Sequence, residues 1–518
     1  MNASSLSIDG REVAIRPGMT ILDAARQAGV EIPTLCHLER CGPQTSCLVC
    51  LVKVNGKLIP SCGTLAQPGM TVESGTEEVH AARRTALELL FSDHLGDCLS
   101  PCERLCPLQL PIPTLLLQVQ AGKTEAAAAT VGGALPLAAV LGRLCHHPCE
   151  QGCRRGAADG AADIRGLERF AADANLALPS PHLPACKART GKSAVVVGAG
   201  PAGIAAAFEL TVLGHSVTLL DRHERAGGSL RSLPEEELPR AVLDAEIARL
   251  ERLGVEIQHK VELGADGVTL ETLRGDYGAV LLAVGERGAG ACEALGVAAG
   301  AAGIKTDAAT ALTSVPGVFA AGAAVKPVRQ IVRAMTEGRN AAQCMDRFLR
   351  GETPRRREKP FSSVMGRLNA GELRRFLDAA SPAKPLAPCD ARAGFSAAEA
   401  SQEAARCLRC GCASAGKCGL QDAAARYGAD ATRFRGERRD FERQAQPGGV
   451  VFEPGKCILC GICVRITEAE AETLGLAFVG RGFQVRLAAP FGEGVAEGLR
   501  RTAAACAAAC PTGALTLP

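Results

Sequence analysis

The chain has 518 residues, room for roughly three to four domains, and carries 24 cysteines against 14 Phe, 2 Tyr and no Trp. So few rings exclude a base-stacking platform for nucleic acid, and 58 Lys and Arg against 55 Asp and Glu, a formal charge of +3, leave no field for a polyanion. Hydrophobic residues at 47% and charged residues at 22% exclude wholesale disorder.

The longest uncharged runs, 105–122 and 308–325, have 18 residues each. Pro107, Pro111 and Pro113 interrupt the first, and Pro316, Gly317 and Gly322 the second, so no membrane span is expected. Asp9, Arg11, Glu12 and Arg16 occupy the stretch that a signal peptide would keep apolar, and a cytoplasmic protein is expected. In a reducing compartment, clustered cysteines read as metal or cluster ligands rather than disulfides. They fall between 36 and 62, 98 and 153, 407 and 418, and 457 and 510, with only four elsewhere.

Residues 6–15 alternate as two short strands about the turn pair Asp9-Gly10. Ile21, Leu22, Ala25 and Ala28 then have helical spacing, with Gly29 as the stop. After them comes Cys36-x10-Cys47-x2-Cys50-x11-Cys62, a close pair on one loop and two outlying thiols. Such a set can wrap a [2Fe-2S] rhomb, with Gly42, Gly56 and Gly63 permitting the turns. With Cys47-Leu-Val-Cys50-Leu-Val-Lys-Val and Pro60-Ser-Cys62-Gly-Thr, it resembles the ferredoxin domain that opens the large iron–sulfur subunit of complex I, [FeFe]-hydrogenases and some formate dehydrogenases, which implies a β-grasp fold. A zinc site or inert thiols are the competing reading, and Cys41 reads as a bystander.

Asp97-Cys98-x3-Cys102-x3-Cys106-Pro107 is followed, past an Ala-rich helical stretch, by Gly142-Arg-Leu-Cys145-x3-Cys149-Glu-x2-Cys153-Arg. Pro101, Pro107 and Pro148 break helices, so loops folding over cubanes are expected. The stretch from about 89 to 170 resembles the N-terminal cluster domain of the glutamate synthase small subunit, of dihydropyrimidine dehydrogenase and of the large subunit of electron-bifurcating transhydrogenase. The resemblance implies two [4Fe-4S] clusters held by interleaved thiols, plus one Glu or Gln ligand, which Ile164-Arg-Gly-Leu-Glu168-Arg-Phe170 nominates as Glu168. Cys106, Cys145, Cys149 and Glu168 would hold one cluster, and Cys98, Cys102 and Cys153 the other. The family has one more cysteine upstream, missing here. His94, four residues before Cys98, either replaces it or is a surface histidine, and Glu168 is either a ligand or half of a surface ion pair.

Ser193-Ala-Val-Val-Val197 reads as a buried strand running into Gly198-Ala-Gly200-Pro-Ala202-Gly203 and a helix over 204–213. The first Gly makes the tight turn, the second admits a pyrophosphate to the backbone, the third lets helix and strand pack, and the helix N-terminus supplies positive potential. The next strand, 216–220, ends in Asp221, placed for a ribose hydroxyl. Asp221-Arg222, Ala226-Gly227-Gly228-Ser-Leu230, Leu282-Ala-Val-Gly285 and Val318-Phe-Ala-Ala-Gly322 resemble the FAD half of the same glutamate synthase-like family. That implies FAD at Gly198, Gly200, Ala202, Gly203, Asp221, Arg222, Gly228, Leu230 and Gly322. About 120 residues separate Gly203 from Gly322, whereas an inserted NAD(P)H domain needs roughly 100 or more of its own, and no second Gly-x-Gly-x-x-Gly occurs. Ala323 stands where the family has an Asp. A flavin-free scaffold is the competing reading.

The segment 351–388 is proline-rich, with a helical pattern near 371–380, and reads as a linker. Cys407-x2-Cys410-Gly-Cys412-x5-Cys418 is a metal signal of unfamiliar spacing, either a cluster or structural zinc. Cys457-x2-Cys460-Gly-Ile-Cys463 and the late Cys510-Pro-Thr-Gly resemble a bacterial-type ferredoxin, implying one [4Fe-4S] cluster on Cys457, Cys460, Cys463 and Cys510. Cys506 is a leftover thiol or the substitute for Cys510.

The expected chain is multidomain, α+β and α/β: a ferredoxin domain over 1–78, a helical two-cluster domain over 79–185, a Rossmann-like FAD domain lacking the NAD(P)H insert over 190–350, a linker over 351–400, a four-cysteine segment over 401–445 and a ferredoxin-like domain over 450–518. A flavin takes electrons in pairs and clusters pass them singly, so the expected role is an electron-transfer subunit with no catalytic acid–base residues of its own. Its partners would be an NADH dehydrogenase-like flavoprotein, a hydrogenase, a formate dehydrogenase or a ferredoxin. A self-contained NAD(P)H:acceptor oxidoreductase and a non-catalytic cluster scaffold are the alternatives.

Overall fold

Alternation shapes the first sheet: in β1 (Ser5–Ile8), Leu6 and Ile8 turn into the core and Ser5 and Ser7 stay partly exposed. β1 pairs antiparallel with β2 (Arg11–Ala14), Ile8 opposite Arg11 across the Asp9-Gly10 turn. α1 (Ile21–Gln27) opens with a reciprocal cap, the Asp23 amide donating to the Thr20 hydroxyl at 3.1 Å and the Thr20 amide to the Asp23 carboxylate at 3.0 Å. β3 (Leu51–Val54), β4 (Lys57–Pro60) and β5 (Thr71–Glu73) complete a sheet ordered β2-β1-β5-β3-β4, parallel only between β1 and β5. Ile21 and Leu22 of α1 share its core with Ile8, Val52, Val72, Cys50 and Cys62. α2 (Glu77–Phe91) leaves this sheet.

The computed structural model describes residues 4–287, 292–445 and 449–517. The chain divides into two units, one of Met1–Ser100, Pro360–Asp378 and Arg409–Pro518, the other of Pro101–Lys359 and Ala379–Leu408.

The helices that open the second unit include α3 (Ile112–Gln120), α4 (Thr124–Ala134), α5 (Ala138–Leu144) and α6 (Ile164–Leu176). A carboxylate cap starts α6, Asp163 receiving the Gly166 amide at 2.7 Å. A Cβ on Gly142 of α5 would lie 2.6 Å from the Arg169 Cα, so only glycine lets α5 and α6 come this close. A parallel sheet follows: β6 (Ser193–Val197), β7 (Ser216–Asp221), β8 (Glu256–His259), β9 (Ala279–Leu282) and β10 (Val318–Ala320), in the order β8-β7-β6-β9-β10. α7 (Pro201–Val212) is buried almost all round, as its Ala-rich sequence requires. α8 (Arg240–Leu253) fastens the sheet to the helices, the buried Glu246 receiving the Ala139 amide at 2.5 Å while Arg249 donates to the Gly132 and Leu135 carbonyls at 3.1 and 2.7 Å. α9 (Ile331–Leu349) crosses α7 where Gly338 faces the Ala202 carbonyl.

The first unit resumes with α10 (Ala370–Asp378), and the second is completed by α11 (Ala397–Ala404), whose Ser401 hydroxyl donates to the Gln120 carbonyl of α3 at 2.9 Å. The rest belongs to the first unit: α12 (Gly419–Tyr427), β11 (Val451–Phe452), α13 (Ile462–Ala469), α14 (Ala503–Ala509) and β12 (Leu515–Thr516), which pairs antiparallel with β11. α12 packs on α2 through the fully buried Arg83, which donates to the Tyr427 hydroxyl at 2.8 Å and the Leu51 carbonyl at 2.9 Å. No single helix among the described residues is long and apolar enough to cross a membrane.

Candidate functional site

Cys36, Cys47, Cys50 and Cys62 come together, all buried. The Cys50 and Cys62 sulfurs are 3.3 Å apart. Hydrogen bonds from Cys47 and Cys62 hold the Cys36 thiol far below its ordinary value, and the Cys62 bond lowers Cys50 to about 7. The proton-keeping partners Cys47 and Cys62 are pushed up, first by their bonds to Cys36. Four buried thiols within hydrogen-bonding reach of one another form a donor set that fits iron. Two of them, Cys50 and Cys62, sit in the core of the first sheet. Cys36, Cys41 and Cys47 sit instead in a second core with Cys418, Cys460 and Cys506.

In the second unit Cys106, Cys145, Cys149 and Glu168 line one cavity of about 310 Å³, closed by Pro107, Leu108, Ile112, Leu141 and Val332. The Gly142 contact places Glu168 of α6 beside Cys145, which follows α5. Burial, then the Glu150 charge, raises the Glu168 carboxyl to about 8, and burial raises Cys145 to about 12. Three buried acids and the partly buried Cys106 around one apolar space need a polyvalent cation to ionise together, so this donor set fits a cluster.

Cys102 and Cys153 lie on neighbouring loops of the same unit: a Cβ on Gly152 would meet the Pro101 carbonyl at 3.1 Å. Cys407 also belongs to this unit, and Arg155 donates to the carbonyl of the fully buried Arg406 at 2.7 Å, two buried guanidinium groups fastening the 407 segment to the 153 loop. Cys98 lies in the first unit, its sulfur 3.3 Å from the Ser363 hydroxyl, with Cys410, Cys412 and Cys418. His94 has its ring against Phe91, 5.5 Å between centroids, with a buried Nδ1 lacking a hydrogen-bond partner.

Cys457, Cys460, Cys463 and Cys510 line a cavity of about 400 Å³, and Cys506 lines it too. Leu459 and Gly461, both at positive φ (53° and 77°), curl the loop around it. Burial raises Cys457 to about 11 and Cys460 to about 12. This set also fits a cluster, with five thiols around four positions.

At the parallel sheet, Gly198 turns β6 into α7 at φ 106°, and Gly203 packs against the Gly198 carbonyl. A Cβ on Gly200 would meet nothing, so the loop face at the α7 N-terminus is open. Gly228 lies across it, its Cβ position 2.8 Å from the Gly200 Cα, and Leu230 is buried behind. Asp221 braces the loop, accepting the Ala199 amide at 2.7 Å and the His223 amide and ring at 2.8 Å each. Oδ2, which takes the Ala199 amide alone, keeps room for a further donor, whereas Oδ1 already takes both His223 bonds. Arg222 reaches Glu262 at 3.7 Å, and a Cβ on Gly322 would lie 2.7 Å from that of Ala202. Open backbone at a helix N-terminus fits a dinucleotide pyrophosphate.

These sites define a multidomain iron–sulfur protein with a dinucleotide-binding oxidoreductase domain. Residues 2–77 match the family of 2Fe-2S iron–sulfur cluster binding domains, 93–178 that of dihydropyrimidine dehydrogenase domain II, 4Fe-4S cluster, and 156–338 that of the pyridine nucleotide-disulphide oxidoreductases. The chain is 36% identical over 208 residues to the NADP(+)-dependent formate dehydrogenase subunit beta of Moorella thermoacetica, covering 36% of this chain and 29% of that one. It is 43% identical over 106 residues to the NADP-reducing hydrogenase subunit HndD of Solidesulfovibrio fructosivorans, covering 19% of this chain and 18% of that one. To the NAD-dependent dihydropyrimidine dehydrogenase subunit PreT of Escherichia coli K12 it is 36% identical over 189 residues, covering 36% of this chain and 45% of that one. The chain thus spans less than half the length of each of these relatives.

Proposed function

We propose that the chain is an iron–sulfur flavoprotein electron-transfer subunit of a multisubunit oxidoreductase. The observation that carries this is the coexistence, in one chain, of the buried thiol set at Cys36 and the thiol-lined cavities at Cys106 and Cys457 with an open glycine loop at Gly200. FAD at that loop would exchange electrons in pairs, and clusters on the thiols would carry them singly. Gly198, Gly200, Ala202, Gly203, Asp221, Arg222, Gly228, Leu230 and Gly322 are the proposed FAD contacts, in a domain proposed to lack an NAD(P)H insert. The domain limits 1–78, 79–185, 190–350, 401–445 and 450–518, and a cytoplasmic location, belong to the same reading. The named relatives are formate dehydrogenase, hydrogenase and dihydropyrimidine dehydrogenase subunits, which favours a partner subunit of that kind as donor or acceptor.

Anaerobically purified chain should release about one FAD on acid treatment. It should oxidise NADH or NADPH only slowly with a dye acceptor until a nicotinamide-binding subunit is added. Rapid NAD(P)H oxidation by the chain alone would overturn the proposal, and so would release of no flavin.

A further inference from the structure

The family resemblance groups Cys98 with Cys102 and Cys153, yet Cys98 is tied to the segment around Gly411. Asp97 forms a parallel bridge with Gly411, and the Cys412 amide donates to the Cys98 carbonyl at 3.3 Å. Side chains alternate across an extended strand. Cys410 and Cys412 therefore share the face opposite Gly411, the face on which Cys98 lies relative to Asp97. Gly411 itself is tightly packed, its Cβ position 3.1 Å from the Ser100 amide. Cys418 reaches the same place from the N-terminus of α12, where its sulfur receives the Gln421 amide at 3.4 Å. Both loops rest on one support: the Cys418 sulfur is 3.4 Å from the Pro511 carbonyl, and the Cys412 sulfur 3.9 Å from the Thr512 carbonyl.

From this geometry we propose that Cys98, Cys410, Cys412 and Cys418 form a four-thiolate site of their own that takes a [4Fe-4S] cluster. Charge agrees with the donor set. Lys456, 4% exposed and paired with Glu453, lays its side chain against Gly96, two residues before Cys98, its Cε 3.0 Å from where a Gly96 Cβ would stand, a buried cation close to thiolates that bear negative charge when they bind iron. The α12 N-terminus adds positive potential at Cys418. A zinc ion draws its four sulfurs to about 2.3 Å from one point. A cubane spreads its ligands over four corners.

The site's position gives it a use. The loop 510–513 that supports Cys412 and Cys418 begins with Cys510, a thiol of the neighbouring 400 Å³ cavity. The first thiol loop also reaches that cavity, where Arg465 donates to the Cys41 carbonyl at 2.8 Å and a Cβ on Gly461 would lie 3.2 Å from the Gln44 amide oxygen. It reaches the new site as well: a Cβ on Gly419, the residue after Cys418, would lie 3.2 Å from the side chain of Leu35, the residue before Cys36. Three thiol sites therefore neighbour one another within one unit. None of this rests on the identity of the donor or acceptor proposed above.

The test uses the full chain, purified anaerobically, with iron, sulfide and zinc measured beside the EPR spectrum after dithionite reduction. Cys98→Ala, Cys412→Ala and Cys418→Ala should each lose the same component and about four irons. Cys102→Ala and Cys153→Ala should leave that component in place. A retained [2Fe-2S] signal reports that each variant is folded. Where an alanine variant loses that signal too, Cys98→Ser and Cys418→Ser replace it, and both should shift the g values of one shared component. Loss of a common component by Cys98→Ala, Cys102→Ala and Cys153→Ala, with Cys418→Ala leaving it intact, would overturn the assignment. So would shifts of different components by the two serine variants, or about one zinc per chain that Cys418→Ala removes.

Discussion

Glu372 is 1% exposed and would be expected to stay protonated. Burial does push its carboxyl up, but the fork of Arg438, at 2.6 Å to each oxygen, and the amides of Asn369 and Phe441 outweigh it and hold it down to about 2, from an ordinary 4.5. A carboxyl with a depressed folded value contributes stability above its unfolded value and loses it as pH falls. Resistance to urea should therefore drop between about pH 4.5 and pH 2, and Glu372→Gln should cost about 3 kcal/mol at pH 7 and flatten that acid limb. Gly200 tests the opposite kind of residue, one whose surroundings are open. Its Cβ position meets nothing, so Gly200→Val should keep the melting temperature and the iron content while flavin in the acid extract falls severalfold. Gly198, Gly200, Gly203 and Asp221 were legible in the sequence because their roles depend on spacing within about 25 residues of chain. Cys98 was not: the bridge between its neighbour Asp97 and Gly411 is read only from the folded chain.

Among the elements, the close passage of α5 and α6 decides whether Glu168 reaches the cavity of Cys106, Cys145 and Cys149. Gly142→Leu places a side chain where Arg169 Cα stands 2.6 Å from the Cβ position, and the helices must part. We expect a loss of about 1–3 kcal/mol and of about four irons, while Gly200-dependent flavin stays. Iron and flavin assays on one sample separate the two. A second junction joins α2 to α12. Tyr427→Phe leaves the buried Arg83 short of an acceptor and should cost about 1–3 kcal/mol in a urea melt. The helices and strands of this protein were largely legible from periodicity, α1 with its Thr20 cap and the β6-α7-β7 run above all. The α2–α12 junction was not, since Arg83 and Tyr427 each look like ordinary surface residues until the two helices meet.

For the whole molecule, the first unit takes its residues from both sides of the second, Met1–Ser100 before it and Arg409–Pro518 after it. A chain ending at residue 408 would uncover Leu35, Leu87 and Phe91, which share a core with Leu420, Phe452 and Ile466. Such a chain should keep the iron of the Cys106 cavity but bleach its [2Fe-2S] absorbance within a time over which the full chain is stable. Linear motif reading sees these pieces as successive domains, because nothing local to either piece records that they share a core. The arrangement also sets a timetable. During synthesis Cys50 and Cys62 find their core partners within the first eighty or so residues, whereas Cys36 and Cys47 belong to a core that closes only when residues beyond 409 arrive. The intervening unit, with contacts mostly among its own residues, can fold in the meantime. The first iron site to be translated is thus among the last to be sealed, and cluster delivery to it must either wait for the ribosome or contend with a half-built pocket.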